Sequence, residues 1–172
     1  MTTLFADYDL AKYDEEIAPE ELTELGSFNH SYLQTKLAVL LFALEDYTAL
    51  TELSLDVSGL DDKILRAKFK DSIKPDISVY SRRALDITED VLKMAEMPLL
   101  AIEILSPMQA VQSLIDKVHA YFALGVRSCW IVYPYNRSVT VYTSPKTFTT
   151  YSTGDVVDET LNLRLPLAEI FS

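Results

Sequence analysis

The sequence predicts an α/β domain: a mixed central β-sheet flanked by helices, with antiparallel strands toward its C-terminal end. Three observations carry this. Leu99 to Leu105 is a nearly continuous apolar run of the kind found in strands buried on both faces. Val111, Leu114, Ile115, Val118 and Phe122 then recur at helical spacing, and Gly125 closes that helix. Cys129 to Tyr133 follows as a second buried strand, ended by Pro134. A strand, a helix and a strand in succession, with β-like segments on either side, make an α/β sheet.

The remaining elements follow in chain order. Residues 1–23 read as an acidic N-terminal arm, in which Pro19-Glu20-Glu21 resembles a helix start; residues 24–172 form a single domain. Asn29 is the expected N-cap of a helix reaching about Asp46, with Leu33, Leu37, Leu40, Leu41 and Leu44 as its apolar stripe. Thr48 to Val57 alternates like a strand. Ser58-Gly59 and Asp61-Asp62 break it, and Lys63 to Phe69 is expected to return as an edge strand. Ile73 to Tyr80 reads as a strand with Pro75 at its entry, where a missing N–H does least harm. Ser81 to Glu96 is polar and is expected to hold a short helix. After Pro134, Asn136-Arg137 turns the chain into Ser138 to Thr143, and Phe148 to Ser152 adds a further strand. Thr153-Gly154-Asp155 turns again, and Leu165 to Phe171 closes the chain as an amphipathic cap.

Composition excludes several function classes. The chain has 172 residues, 49% hydrophobic and 24% charged, which suits one globular domain with a proper core. Four glycines leave little material for a Gly-rich phosphate loop. No apolar run approaches membrane-spanning length, and the N-terminus lacks the basic-then-apolar pattern of a signal peptide. One cysteine, Cys129, rules out an internal disulfide and fits a reducing, cytoplasmic setting. With two histidines, a Cys/His zinc site is not expected. The net charge of −11 opposes a nucleic-acid coat role, since phosphate neutralisation needs Lys and Arg. The charges are nonetheless segregated. Residues 1–24 carry eight acids against Lys12 alone, whereas residues 63–83 carry seven basic residues around Asp76. That basic block is either a hairpin with solvated charges or a phosphate-contacting rim.

The chemistry gathers at Asp76, Glu103 and Lys117. Asp76 stands at the mouth of one strand-like run and Glu103 inside another, where a charge is costly unless paired or bound to metal. Two carboxylates on adjacent strands can hold a hard divalent ion such as Mg²⁺, which lowers the pKa of a bound water. Lys117, on the following helix, can reach along the sheet to orient that water or to meet charge developing on phosphoryl oxygens. Each residue also has a structural alternative: Asp76 as a turn acid, Glu103 and Lys117 as a simple ion pair, and Lys117 as a solvated helix residue. His30 reads as a local hydrogen-bonding residue, His119 as surface, and Trp130 and Tyr133 as packing; Tyr121, one helical turn beyond Lys117, can line the same face, with packing as its default reading. A nucleophile-elbow motif is absent from the sequence.

Pro75-Asp76, Ala101-Ile102-Glu103-Ile104-Leu105-Ser106-Pro107, Lys117 four before Tyr121, Gly125-Val126 and Trp130-Ile131-Val132-Tyr133-Pro134 form an ordered set. The set resembles the bacterial Uma-type domain, described as a restriction endonuclease, within the PD-(D/E)xK nuclease superfamily. The ending Leu163 to Phe171 is also similar, and the resemblance runs from about residue 24 onward. It implies a restriction-endonuclease-like core, Asp76 and Glu103 as Mg²⁺ (or Mn²⁺) ligands, and the backbone carbonyl of Ile104 as a third. The superfamily's usual lysine position, two residues after the second acid, is Leu105 here; the resemblance implies a catalytic lysine from the next helix, as in the Uma-type family, which matches Lys117. It further implies an acid and a histidine near the first helix, for which Glu24 and His30 are the nearest matches. The implied activity is metal-dependent hydrolysis of DNA, and double-strand cleavage suits a homodimer presenting two sites. Two departures support an alternative, a catalytically degenerate nuclease-fold protein acting as a binding or assembly module. Only Leu25 to Asn29 separate Glu24 from His30, where the family has a hairpin, and Ser113 stands where the lysine helix usually carries an acid.

Overall fold

The computed structural model describes residues 26–172; the acidic arm and Glu24 lie outside the described residues. Helix α1 (Phe28–Phe42) leads into strand β1 (Tyr47–Thr51), the short β2 (Leu55–Asp56), helix α2 (Lys63–Phe69), the short β3 (Ser72–Ile73) and β4 (Ile77–Ser81). Strand β5 (Leu100–Ile104), helix α3 (Val111–Leu124) and strand β6 (Ser128–Tyr133) follow. Strands β7 (Ser138–Ser144), β8 (Thr147–Tyr151), β9 (Asp155–Asp158) and β10 (Leu163–Pro166) and the one-turn helix α4 (Leu167–Ile170) complete the chain.

Six strands form one sheet in the order β1-β4-β5-β6-β7-β8. Within it only β5 and β6 pair in parallel; the other neighbours are antiparallel. The mixed sheet follows from the connections, since α3 carries the chain back across the sheet whereas tight turns join β6 to β8. All five residues of β5 are buried, as its apolar run predicts. The strand period of two sends them to different layers. Leu100, Ile102 and Ile104 pack with Leu33, Leu37 and Leu41 of α1 and with the β9–β10 hairpin. Ala101 packs on the other face with Leu114, Val118 and Tyr121 of α3. Glu103 shares the face of Ala101, so the alternation aims it at α3. In the antiparallel register Ile77 stands opposite Ile102. Asp76, one residue before Ile77, therefore meets the sheet at the level of Glu103.

Several expectations are corrected. The first N-cap is Ser27, whose side chain accepts from the His30 N–H, and not Asn29. The alternating run splits at Glu52, which adopts φ 55, so β1 and β2 are separate. Lys63 to Phe69 is a helix rather than an edge strand, because the Asp62 carboxylate accepts from the N–H groups of Ile64 and Leu65 and so caps a helical turn. The 73–80 segment is interrupted at 74–76, which lifts Asp76 out of the ladder. No helix forms between Ser81 and Glu96; Met94 instead bridges to Leu55. The C-terminal end is a hairpin before it is a cap. Buried Asp158 accepts from Ser128 Oγ and Trp130 Nε1 (2.9 Å), pinning the hairpin to the sheet. Among the described residues no helix is long and apolar enough to cross a membrane.

Candidate active site

At the end of β5 the structure brings together Asp76, Glu103, Lys117 and His30. They line a cleft of about 530 Å³ with Glu52 and Gln34. Glu103 projects from β5, and its side chain is 2% exposed. Lys117 and Tyr121 are four apart on α3, so both stand over it. Lys117 Nζ donates to Glu103 Oε2 at 2.8 Å and to the Lys74 carbonyl at 3.2 Å. The Tyr121 hydroxyl donates to Glu103 Oε1 in a short, fully buried hydrogen bond. One helix face thus serves both oxygens of the carboxylate.

Asp76 is held as firmly from the other side. Its Oδ2 accepts from the Ile104 N–H at 2.6 Å and lies 3.2 Å from His30 Nε2. Its carbonyl accepts from Gln34 Nε2 at 2.9 Å and from the Glu52 N–H at 3.3 Å. His30 and Gln34 are four apart on α1 and grip the carboxylate and the peptide of the same residue. Gln34 Nε2 also donates to Glu52 Oε1 at 2.8 Å.

The electrostatics follow from burial. Desolvation pushes the Glu103 carboxyl up to about 7, opposed by Lys117 and assisted by the nearby Asp76 charge. Burial likewise drives the Tyr121 phenol well above its ordinary range. His30 is raised, chiefly by its hydrogen bond to Asp76, against the opposing effect of burial. Lys117 Nζ and Glu103 Oε2 form an ion-pair contact at the wall of the cleft.

The donor set suits a hard divalent cation. The acceptors are carboxylate oxygens, and Asp76 Oδ1 carries no hydrogen bond from the described residues while its carboxylate borders the cleft. Leu105 N–H bonds to β6 and Ile104 N–H to Asp76. Because the N–H and C=O of a strand residue project to the same side, the Ile104 carbonyl also faces Asp76. Among the described residues no three His, Cys, Asp or Glu side chains form a ready-made cage. An ion here would complete its shell with backbone oxygen and water, as Mg²⁺ prefers.

Sequence reasoning missed Glu52 and Gln34, and it took packing as the default for Tyr121 while placing it on the Lys117 face. Tyr121 was detectable, lying one helical turn past Lys117. Gln34 was signalled only by its spacing from His30, and Glu52, at a strand end with left-handed backbone, carried no periodic signal. Within the basic block, Lys74 lines the cleft. Arg82 instead stacks on Phe42, Arg83 pairs with Glu96 over Tyr80, and Lys68 pairs with Asp116 at 2.5 Å. Glu24 lies outside the described residues, and His119 is exposed as expected.

Comparison with known proteins agrees with this architecture. Residues 7–170 match the Uma2 family, described as "Putative restriction endonuclease". No curated protein matches. The fold is similar to the crystal structure of a "putative nuclease belonging to DUF820" from Anabaena variabilis ATCC 29413, with a TM-score of 0.66 and 20% sequence identity. The alignment covers 90% of this chain and 97% of that one. The chain belongs to the Uma2 family.

Proposed function

We propose, from that family membership and the cleft's chemistry, that the protein is a metal-dependent endonuclease hydrolysing DNA phosphodiester bonds. The observation that carries the reading is Lys117 Nζ, 2.8 Å from a buried carboxylate at the level of Asp76, the residue just before the adjoining strand β4. Asp76, Glu103 and the Ile104 carbonyl are the residues that would hold Mg²⁺ or Mn²⁺. When bound, such an ion supplies Lewis acidity toward phosphoryl oxygen and lowers the pKa of coordinated water.

The protein's own residues have distinct tasks. Tyr121 fixes the Glu103 carboxylate from the dry side, so its other oxygen stays oriented to the cleft. His30, Gln34 and the Ile104 N–H fix Asp76. Lys117 keeps one N–H donor beyond those given to Glu103 and the Lys74 carbonyl, and it can orient a water or meet negative charge on a phosphoryl oxygen. A DNA duplex would be cut on both strands by two copies presenting two such clefts.

A second reading is favoured by one observation. Both Glu103 oxygens already accept hydrogen bonds from the protein, which fits a degenerate nuclease fold acting as a binding or assembly module. Plasmid cleavage in Mg²⁺ or Mn²⁺, wild type beside Glu103→Ala and Lys117→Ala, decides between them. The nuclease reading expects nicking or linearisation by wild type and its loss in both variants. Equal activity in wild type and Glu103→Ala would sink it, and so would an inert wild type whose calorimetric titration with Mn²⁺ gives no heat.

A further inference from the structure

Beside the cleft, α1 presents a face that, among the described residues, belongs neither to the core nor to the site. Phe28 is 82% exposed and Tyr32 47% exposed, and their rings stack with centroids 6.1 Å apart and planes 26° from parallel. The pair forms a ridge between two grooves. One, of about 420 Å³, runs along α1 past Thr35, Lys36 and Val39. The other, of about 280 Å³, lies between α1 and the β6–β7 turn and is walled by Pro134, Arg137 and Phe171. Each groove thus joins aromatic surface to one cation. Ser31 lines both the first groove and the catalytic cleft, so the groove adjoins the cleft across that residue.

Exposing two stacked rings to water is unfavourable, and such a patch marks an interaction surface. Bare ring faces beside single cations suit bases whose own faces are free, with Lys36 and Arg137 meeting the phosphates between them. Duplex bases already stack on one another and offer no face to Phe28. The chain's net charge of −11 also leaves little capacity for the many phosphate contacts that duplex binding rests on. We infer that the Phe28–Tyr32 ridge binds unpaired nucleobases of a DNA strand leading into the cleft, so that the preferred substrate carries a single-stranded segment beside the scissile phosphate. This deepens the nuclease reading and rests on it for the word substrate, whereas the binding itself does not.

The test is anisotropy of labelled oligodeoxythymidine and of a duplex of equal length, both in EDTA. Wild type is expected to bind the single strand more tightly. Phe28→Ala and Tyr32→Ala should each weaken that binding about 5- to 150-fold, the range that loss of one base–aromatic stack produces, and leave duplex binding unchanged. Tyr32→Phe keeps the ring and loses only the hydroxyl bond to the Ser172 carbonyl, so it should bind as wild type does. Equal affinity for the two DNAs, or unchanged single-strand binding in Phe28→Ala, overturns the inference. So does an altered oligomeric state of Phe28→Ala on size exclusion, which would assign the ridge to a second copy of the chain. Because the titration excludes metal, failure of the cleavage assay defeats the nuclease reading without deciding this one.

Discussion

Glu103 is a costly residue for this fold, and the substitution Glu103→Gln isolates the cost. Burial on β5 pushes its carboxyl from 4.5 up to about 7, with Lys117 opposing and Asp76 assisting. In the unfolded chain the group ionises near 4.5, so between the two values the folded protein holds a proton that the unfolded chain has released. The stability linked to Glu103 is therefore full below pH 4.5 and is lost as pH rises through the folded value near 7. At about 1.4 kcal/mol for each tenfold change in proton concentration, the interval corresponds to roughly 3 kcal/mol. The side chain is 2% exposed, so solvent screening takes little from that figure. The amide introduced by Glu103→Gln is neutral at every pH, and titrating groups outside the cleft cancel in the comparison of the two proteins. His30 is the exception: Asp76, the chief cause of its raised value, is present in both, but the Glu103 charge also helps to raise it. Urea unfolding, followed by fluorescence of the single, fully buried Trp130, gives the stabilities at a series of pH values. Wild type should lose roughly 3 kcal/mol relative to Glu103→Gln across that window. Parallel pH profiles would refute the argument. If the cleft holds a divalent cation, saturating Mg²⁺ should flatten the wild-type profile and leave that of Glu103→Gln unchanged.

Two further substitutions test what positions the site. Asp62→Ala removes the acceptor for two N–H groups at the start of α2; it should cost about 1 kcal/mol in urea unfolding, and no loss would mean that tertiary packing alone holds that helix. Asp158→Ala strands the Trp130 indole N–H in the interior and leaves the Ser128 hydroxyl only its longer bond to the Tyr142 carbonyl (3.3 Å). About 1–3 kcal/mol is expected for the unsatisfied indole donor, together with a changed Trp130 emission, and wild-type stability would show that the hairpin is held without this anchor.

The central unit was legible because its signals were redundant. Leu99 to Leu105 could hardly be other than a buried strand, and Gly125, at φ 98, ends α3 where a left-handed residue was needed. The peripheral elements failed where one signal spoke alone. Lys63 to Phe69 has ambiguous spacing over seven residues, and the Asp62 cap that decides for helix looks, in isolation, like part of a turn. The expected helix in Ser81 to Glu96 had polarity but no stripe, and that segment is tied down instead by the Arg83–Glu96 pair and the Met94 bridge. In the cleft, residues placed by strand register and helix spacing were accessible from sequence. Glu52 and Gln34 depend on how α1 docks across the sheet, which local pattern does not encode.

The departure of the lysine from the strand has a structural logic. A residue two beyond Glu103 points to the same face, but that residue, Leu105, packs with the α3 layer. A lysine there would take a long charged side chain into an apolar contact. On α3 the same ammonium arrives from above, with its stem along the helix and its head at the cleft. The helix repeat then supplies Tyr121 to the other Glu103 oxygen, a second donor that a strand-borne lysine does not bring with it. The buried acid, the helix-borne lysine and the phenol therefore form one unit. The seat of α3 against the sheet, through Leu114 and Val118, sets its geometry.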